Sequence, residues 1–172
     1  MTEKIFFANF ATMNSLLPTK LFLVLCTLLL AIMCLLSIRQ PLTFQNERAQ
    51  REKVVASRLL LIRSAEMRYK AAKGVFCASF DTLVHEGWIA DSLQFIPYSG
   101  GKRFTLSATV LNTLGGQTVP VMECGALYDD FLQDMDRRQI ELLNQKAISA
   151  GAFPGMKFGD LTKNNDNATN WN

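Results

Sequence analysis

The stretch "NERAQREKVVASRLLLIRSAEMRYKAAKG", Asn46 to Gly74, decides how the rest of the chain must be arranged. Val55, Leu59, Ile62, Glu66, Tyr69 and Ala72 recur at three- and four-residue spacing, with Val54, Leu61 and Ala65 broadening the stripe, so the spacing predicts one amphipathic helix. Asn46 is placed to cap its start. Glu47 with Arg51 and Glu66 with Lys70 stand four apart in the favourable order for ion pairs. Lys70 and Lys73 suit the negative end of the helix dipole, and Gly74 is the helix stop. A stripe on one side only must pack against something, and Val55, Leu59, Ile62 and Tyr69 are expected to hold this rod to the residues that follow it.

Working back toward the N-terminus, "LFLVLCTLLLAIMCLLSI", Leu21 to Ile38, carries no charge and lies between Lys20 and Arg39. At 1.5 Å per residue it spans roughly 27 Å, so the sequence predicts a single transmembrane helix. Its apolar run is longer than that of a cleaved signal peptide, and no small-residue cleavage site follows it. Pro41 is expected to kink the helix where it leaves the membrane. Apolar residues are densest in this run, and residues 1–20 read as a short leader.

Working forward, "FDTLVHEGWI" reads as a short helix, Phe80 to Ile89. "RFTLSATVLNTLGGQTVPVMEC" reads as a β-hairpin reversing at Gly115 and Gly116, with Pro120 marking its second strand as an edge or a bulge. A further helix is expected from about Asp136 to Ser149, ending at Gly151. "FPGMKFGDL" reads as extended or turn-rich, and residues 162–172 as a polar tail, either loose or docked through Trp171. The expected fold class is α+β. It comprises a transmembrane helix at 21–38, a juxtamembrane amphipathic helix at 39–74 and a small α+β domain at 75–161.

Chemistry is sparse. A net charge of +3 with interleaved acidic and basic residues does not form the basic stripe of a nucleic-acid binder. His85 is the single histidine, beside Glu86 and Trp88, so a histidine-based triad has one base to draw on and histidine-rich metal sites are excluded. "SGGKRF" lacks the spacing and the Ser or Thr of a phosphate loop. Asp129, Asp130, Asp134 and Asp136 crowd one segment without the glycine and glutamate of an EF-hand, and read as a solvated helix start in preference to a calcium site. The chain thus implies no enzyme and no cofactor. Cys77 and Cys124, outside the apolar run, are either one disulfide or two buried thiols. Trp88, Phe95 and Tyr98 are the residues that would line a ligand site if the domain were a membrane-anchored binding or adaptor module.

The order of features resembles type IV pilins and the pseudopilins of type II secretion over about residues 20–85. Those proteins carry a membrane helix with a proline near its outer end and an amphipathic helix ending in a signature that "YKAAKGVF", Tyr69 to Phe76, matches in type. Aligned on Pro41, Thr19 stands where the leader-peptidase glycine belongs and Val24 where the subunit-registering glutamate belongs, so neither requirement is met. The chain also resembles a group of bacterial single-pass membrane proteins through Pro41 to Glu47, Ile62 to Lys70, Phe80 to Leu83 and Val119 to Glu123, a likeness that carries no activity. The resemblance implies a structural or assembly subunit of a bacterial envelope complex, in the inner membrane, with other envelope proteins or copies of itself as partners. Arg39, Arg48, Arg51 and Lys53 bias the C-terminal domain toward the cytoplasm by charge. The pilin-like order and the cysteine pair place it in the periplasm, which is the expectation adopted.

Overall fold

The structure, a computed structural model, describes the backbone of residues 3–112 and 116–171 and the side chains of residues 19–35, 43–112 and 116–171. Two compact units divide the chain, Met1–Gln45 and Asn46–Asn172.

A single helix, α1 (Glu3–Lys73), contributes to both. It continues through Asn46, which therefore caps nothing, and it is helical through Pro41 as well, where an interruption was expected. In the N-terminal unit the expectation of a transmembrane helix is overturned: among the described residues no helix is long and apolar enough to cross a membrane. The reason is length. Its described apolar residues run from Leu21 to Leu35, about 22 Å of helix at 1.5 Å per residue against a hydrocarbon layer of about 30 Å. Leu36, Ser37 and Ile38, which would extend the run, lie outside the residues with described side chains. The membrane-exit role assigned to Pro41 falls with it.

The C-terminal unit is α+β. After α1 come α2 (Phe80–His85), a 3₁₀ turn (Asp91–Gln94), β1 (Thr105–Asn112), β2 (Thr118–Leu127), α3 (Tyr128–Phe131), α4 (Arg137–Ser149) and β3 (Gly155–Gly159). α1 ends where Gly74 turns left-handed at φ 82° and donates its N–H to the Lys70 carbonyl at 2.8 Å, satisfying one orphan carbonyl of the last turn. Ser79 caps α2 by accepting the Thr82 N–H, and Asp136 caps α4 by accepting the Arg138 N–H at 2.9 Å.

The sheet is antiparallel in the order β1-β2-β3, so β2 is central and not the edge that Pro120 suggested. Pro120 is tolerated because β3 reaches only Glu123 to Leu127, and the stretch around Pro120 has no β3 partner to donate to. Thr113, Leu114 and Gly115 of the expected hairpin reversal lie outside the described residues. β3 falls in the stretch read as extended or turn-rich, and the turn alternative arose because its five residues begin and end in glycine. Those glycines are what close pairing needs: a Cβ on Gly155 would strike the Ala126 backbone, and one on Gly159 the Met122 backbone.

One core serves the unit. Val55, Leu59, Ile62 and Ala65 of α1 are fully buried, as are Leu83, Met122, Cys124, Phe131, Leu132 and Phe158. Tyr69 of the same helix is half-buried, with its ring edge-on to Trp88, centroids 5.6 Å apart. The tail is docked by backbone and an amide. Phe158 bridges Thr169, the Asn170 N–H donates to the Lys157 carbonyl at 3.0 Å, and Asn170 Nδ2 donates to the Gly155 carbonyl at 2.9 Å. The outer edge of β3 is covered in this way.

Candidate functional site

Two features of the molecule exceed what a stable fold requires, one in each unit. In the N-terminal unit Leu21, Phe22, Leu23, Val24 and Leu25 follow one another without a break, and each exposes more than 60% of its surface. Five consecutive helical residues at 100° steps go right round the cylinder, so the apolar surface is not a stripe. It continues through Leu28, Leu29, Leu30, Met33 and Leu35, all exposed, with Cys34 exposed among them. Contiguous apolar surface of this extent marks a place of contact with something else.

In the C-terminal unit the polar side of α1 works as a series of clamps. Arg51, although almost wholly buried, donates to the Phe131 carbonyl at 3.0 Å, to the Glu47 carboxylate at 2.7 Å and to both oxygens of Asp134. Its guanidinium also lies over the Tyr98 ring, 4.8 Å from the centroid. Hydrogen bonding to Asp134 holds the Arg51 pKa above its ordinary value, and the same bond holds Asp134 below the usual carboxylate range. Arg58 donates to the Phe95 carbonyl at 2.6 Å, Arg63 to that of Asp166 at 3.3 Å and Arg68 to that of Trp88 at 3.3 Å. Loops without regular structure thereby have their carbonyls satisfied by the rod.

At the centre of that packing lies a buried carboxyl. Glu66 does not pair with Lys70, as its spacing suggested. Its side chain has no exposed surface, Oε2 accepts the Cys77 N–H at 2.9 Å, and Oε1 has no protein partner. Lys70 instead lies over the Phe76 ring at 4.6 Å. Burial pushes the Glu66 pKa up to about 7, with the Cys77 N–H pulling the other way. Burial, and then the Glu66 charge, push the Cys124 thiol up, so it is an inert thiol at neutral pH. Cys77 and Cys124 are both buried and both free; the disulfide alternative is not what the structure contains. The sequence held the signal for Glu66, since it occupies a position of the apolar stripe.

The other singled-out residues do not converge. The four aspartates are dispersed among structural partners: Asp129 accepts from Asn144 at 2.8 Å, Asp130 pairs with Lys102 at 2.8 Å, Asp134 with Arg51, and Asp136 caps α4. No group of three or more acidic, Cys or His side chains suited to a metal is present among the described residues. Trp88, Phe95 and Tyr98 are each taken up by a different partner, Tyr69, Arg103 and Arg51. His85 is exposed at the end of α2. A shallow cleft is lined by Arg48, Tyr128, Leu143, Lys146, Ala147 and Ala150, but Arg48 is committed to Glu52 at 2.7 Å. No family model, curated protein or solved structure matches the chain.

Proposed function

We propose that the chain is a non-enzymatic structural or assembly subunit of a bacterial envelope complex, with its C-terminal unit as a folded head on the periplasmic side. The observation that carries this reading is the apolar surface of Leu21–Leu35, exposed on every side of the helix. Each such side chain gains about 1.5–3 kcal/mol when fully buried, so the segment drives association strongly. Exposure around the whole circumference calls for several neighbours and not the single seam of a two-stranded coil. The absence of a registering glutamate at Val24 means that packing, and not charge pairing, sets the register.

Light scattering on the purified full chain in mild detergent tests this. Wild type is expected to form species of several chains, and Leu28→Lys, which places a charge in the segment, is expected to shift the mass toward the monomer with the head still folded. A wild-type chain that is monomeric across the accessible concentration range contradicts the proposal.

A further inference from the structure

The two edges of the sheet are treated differently. That of β3 is covered by the chain's own tail through Ala168, Thr169 and Asn170, whereas β1 has no backbone partner other than β2 among the described residues. Exposed edges in native sheets are ordinarily blunted by charge, proline, a bulge or shortness. The β1 sequence "TLSATVLN" has eight residues with no charge, no proline and no glycine, paired to β2 in unbroken register. It is therefore a template for another strand.

Its side chains indicate which strand. Leu106 and Ala108 pair with Cys124 and Met122, both fully buried, so Leu106, Ala108 and Val110 lie on the core face, where the sheet stops short and leaves Val110 46% exposed. Thr105, Ser107 and Thr109 lie on the other face, all exposed, together with the half-buried Leu111. An antiparallel copy of the same strand, related by a twofold axis at Ala108, sets Leu106 against Val110 twice and Ser107 against Thr109 twice. Apolar residues then meet apolar ones on the core face; on the other, hydroxyls meet hydroxyls at Ser107 and Thr109, and Leu111 lies against Thr105 at either end. The flanking cations do not oppose the approach, because Lys102 is paired with Asp130 and Arg103 with Asp81.

We propose that β1 is a self-complementary interface: the heads of two copies join edge to edge through β1, antiparallel about Ala108, into one six-stranded sheet. This contact is separate from the association of the apolar helices and holds whether or not those helices assemble.

The test uses the full chain in dodecyl maltoside micelles, in a Cys26→Ser/Cys34→Ser background that removes the two thiols on the apolar segment. In this register the two Ala108 Cα atoms lie about 4.5–5.5 Å apart, within disulfide reach, while the two Asn112 positions are about 27 Å apart at 3.3–3.4 Å per residue. Under copper-phenanthroline oxidation Ala108→Cys is expected to give a covalent dimer as its main product, and Asn112→Cys, although more exposed, to remain monomeric. Equal linkage at both positions, or none at 108, overturns the proposal. Should Ala108→Cys disturb the hairpin, Thr109→Lys on the solvent face serves instead: a halved head-mediated mass with unchanged circular dichroism supports the interface, and an unchanged mass overturns it. Leu28→Lys leaves the Ala108→Cys linkage intact, so failure of the helix association and failure of the β1 contact are read separately.

Discussion

Glu66 Oε2 accepts the backbone N–H of Cys77 across the turn at Gly74, at 2.9 Å and out of contact with solvent. The bond ties the last buried turn of α1 to the first residues of the chain that returns over it. Because Oε1 has no protein partner, the ionised form carries a desolvation cost that one hydrogen bond does not offset.

That cost has a sign and a window. The folded pKa of Glu66, about 7, lies above its ordinary value of 4.5. The folded state therefore holds a proton that the unfolded state has released. Stability from this group is fully present below the unfolded pKa, falls as pH rises, and levels off above the folded pKa. Between pH 5 and pH 8 the loss is about 2–3 kcal/mol at 1.36 kcal/mol per pKa unit. Urea denaturation of wild type and Glu66→Gln at both pH values checks this: the variant is expected to gain on wild type by that amount as pH rises, and a constant difference would count against a titrating Glu66.

Arg51 is expected to be the most sensitive polar position of the head. Arg51→Lys keeps the charge but loses the planar fork that meets Asp134, Glu47 and the Phe131 carbonyl together, at a cost of about 1–3 kcal/mol. Asp134→Asn, at an exposed carboxylate, is expected to cost under about 1 kcal/mol. Thermal melts of the two variants give the comparison, and equal losses would mean that the Phe131 carbonyl contact is dispensable.

The glycines separate by mechanism. Gly74→Ala meets nothing within 4 Å, so only the left-handed backbone is penalised, at about 1 kcal/mol. Gly159→Ala combines a φ of 78° with a Cβ directed into the Met122 backbone, and is expected to cost more than about 2 kcal/mol and to undo β2–β3 pairing. Amide exchange at Phe158 distinguishes local loss of the pairing from global destabilisation.

Ile62→Ala tests the rod's attachment. A fully buried Ile reduced to Ala typically costs 2–5 kcal/mol. A loss below about 1 kcal/mol would mean that α1 contributes little to the head's core.

What was legible in the sequence follows periodicity. Val55, Leu59 and Ile62 declare a buried helix face because three or four residues separate each pair, and "TLSATVLN" declares a strand by alternation. β3 was legible only as extended or turn-rich, because Gly155 and Gly159, which allow close backbone approach, look like turn in one dimension. Glu66 was misread because helix-surface pairing with Lys70 is local, whereas its partner, Cys77, is supplied by the returning chain. The apolar run was read as a membrane span from residues 21–38 taken together, while the described apolar surface ends at Leu35. Arg51's clamp on Asp134 joins residues 83 apart and has no signature in spacing.

The most direct test of the assembly role is bismaleimide cross-linking of envelope fractions from bacteria expressing the full chain. Cys34 is exposed on the apolar segment and Cys77 and Cys124 are buried, so the reagent reports on the helix. A covalent dimer through Cys34, extended to a ladder where the half-buried Cys26 reacts as well, that disappears in Cys26→Ser/Cys34→Ser is the expected result. Monomer alone, with Cys34 fully modified, would contradict association through Leu21–Leu35.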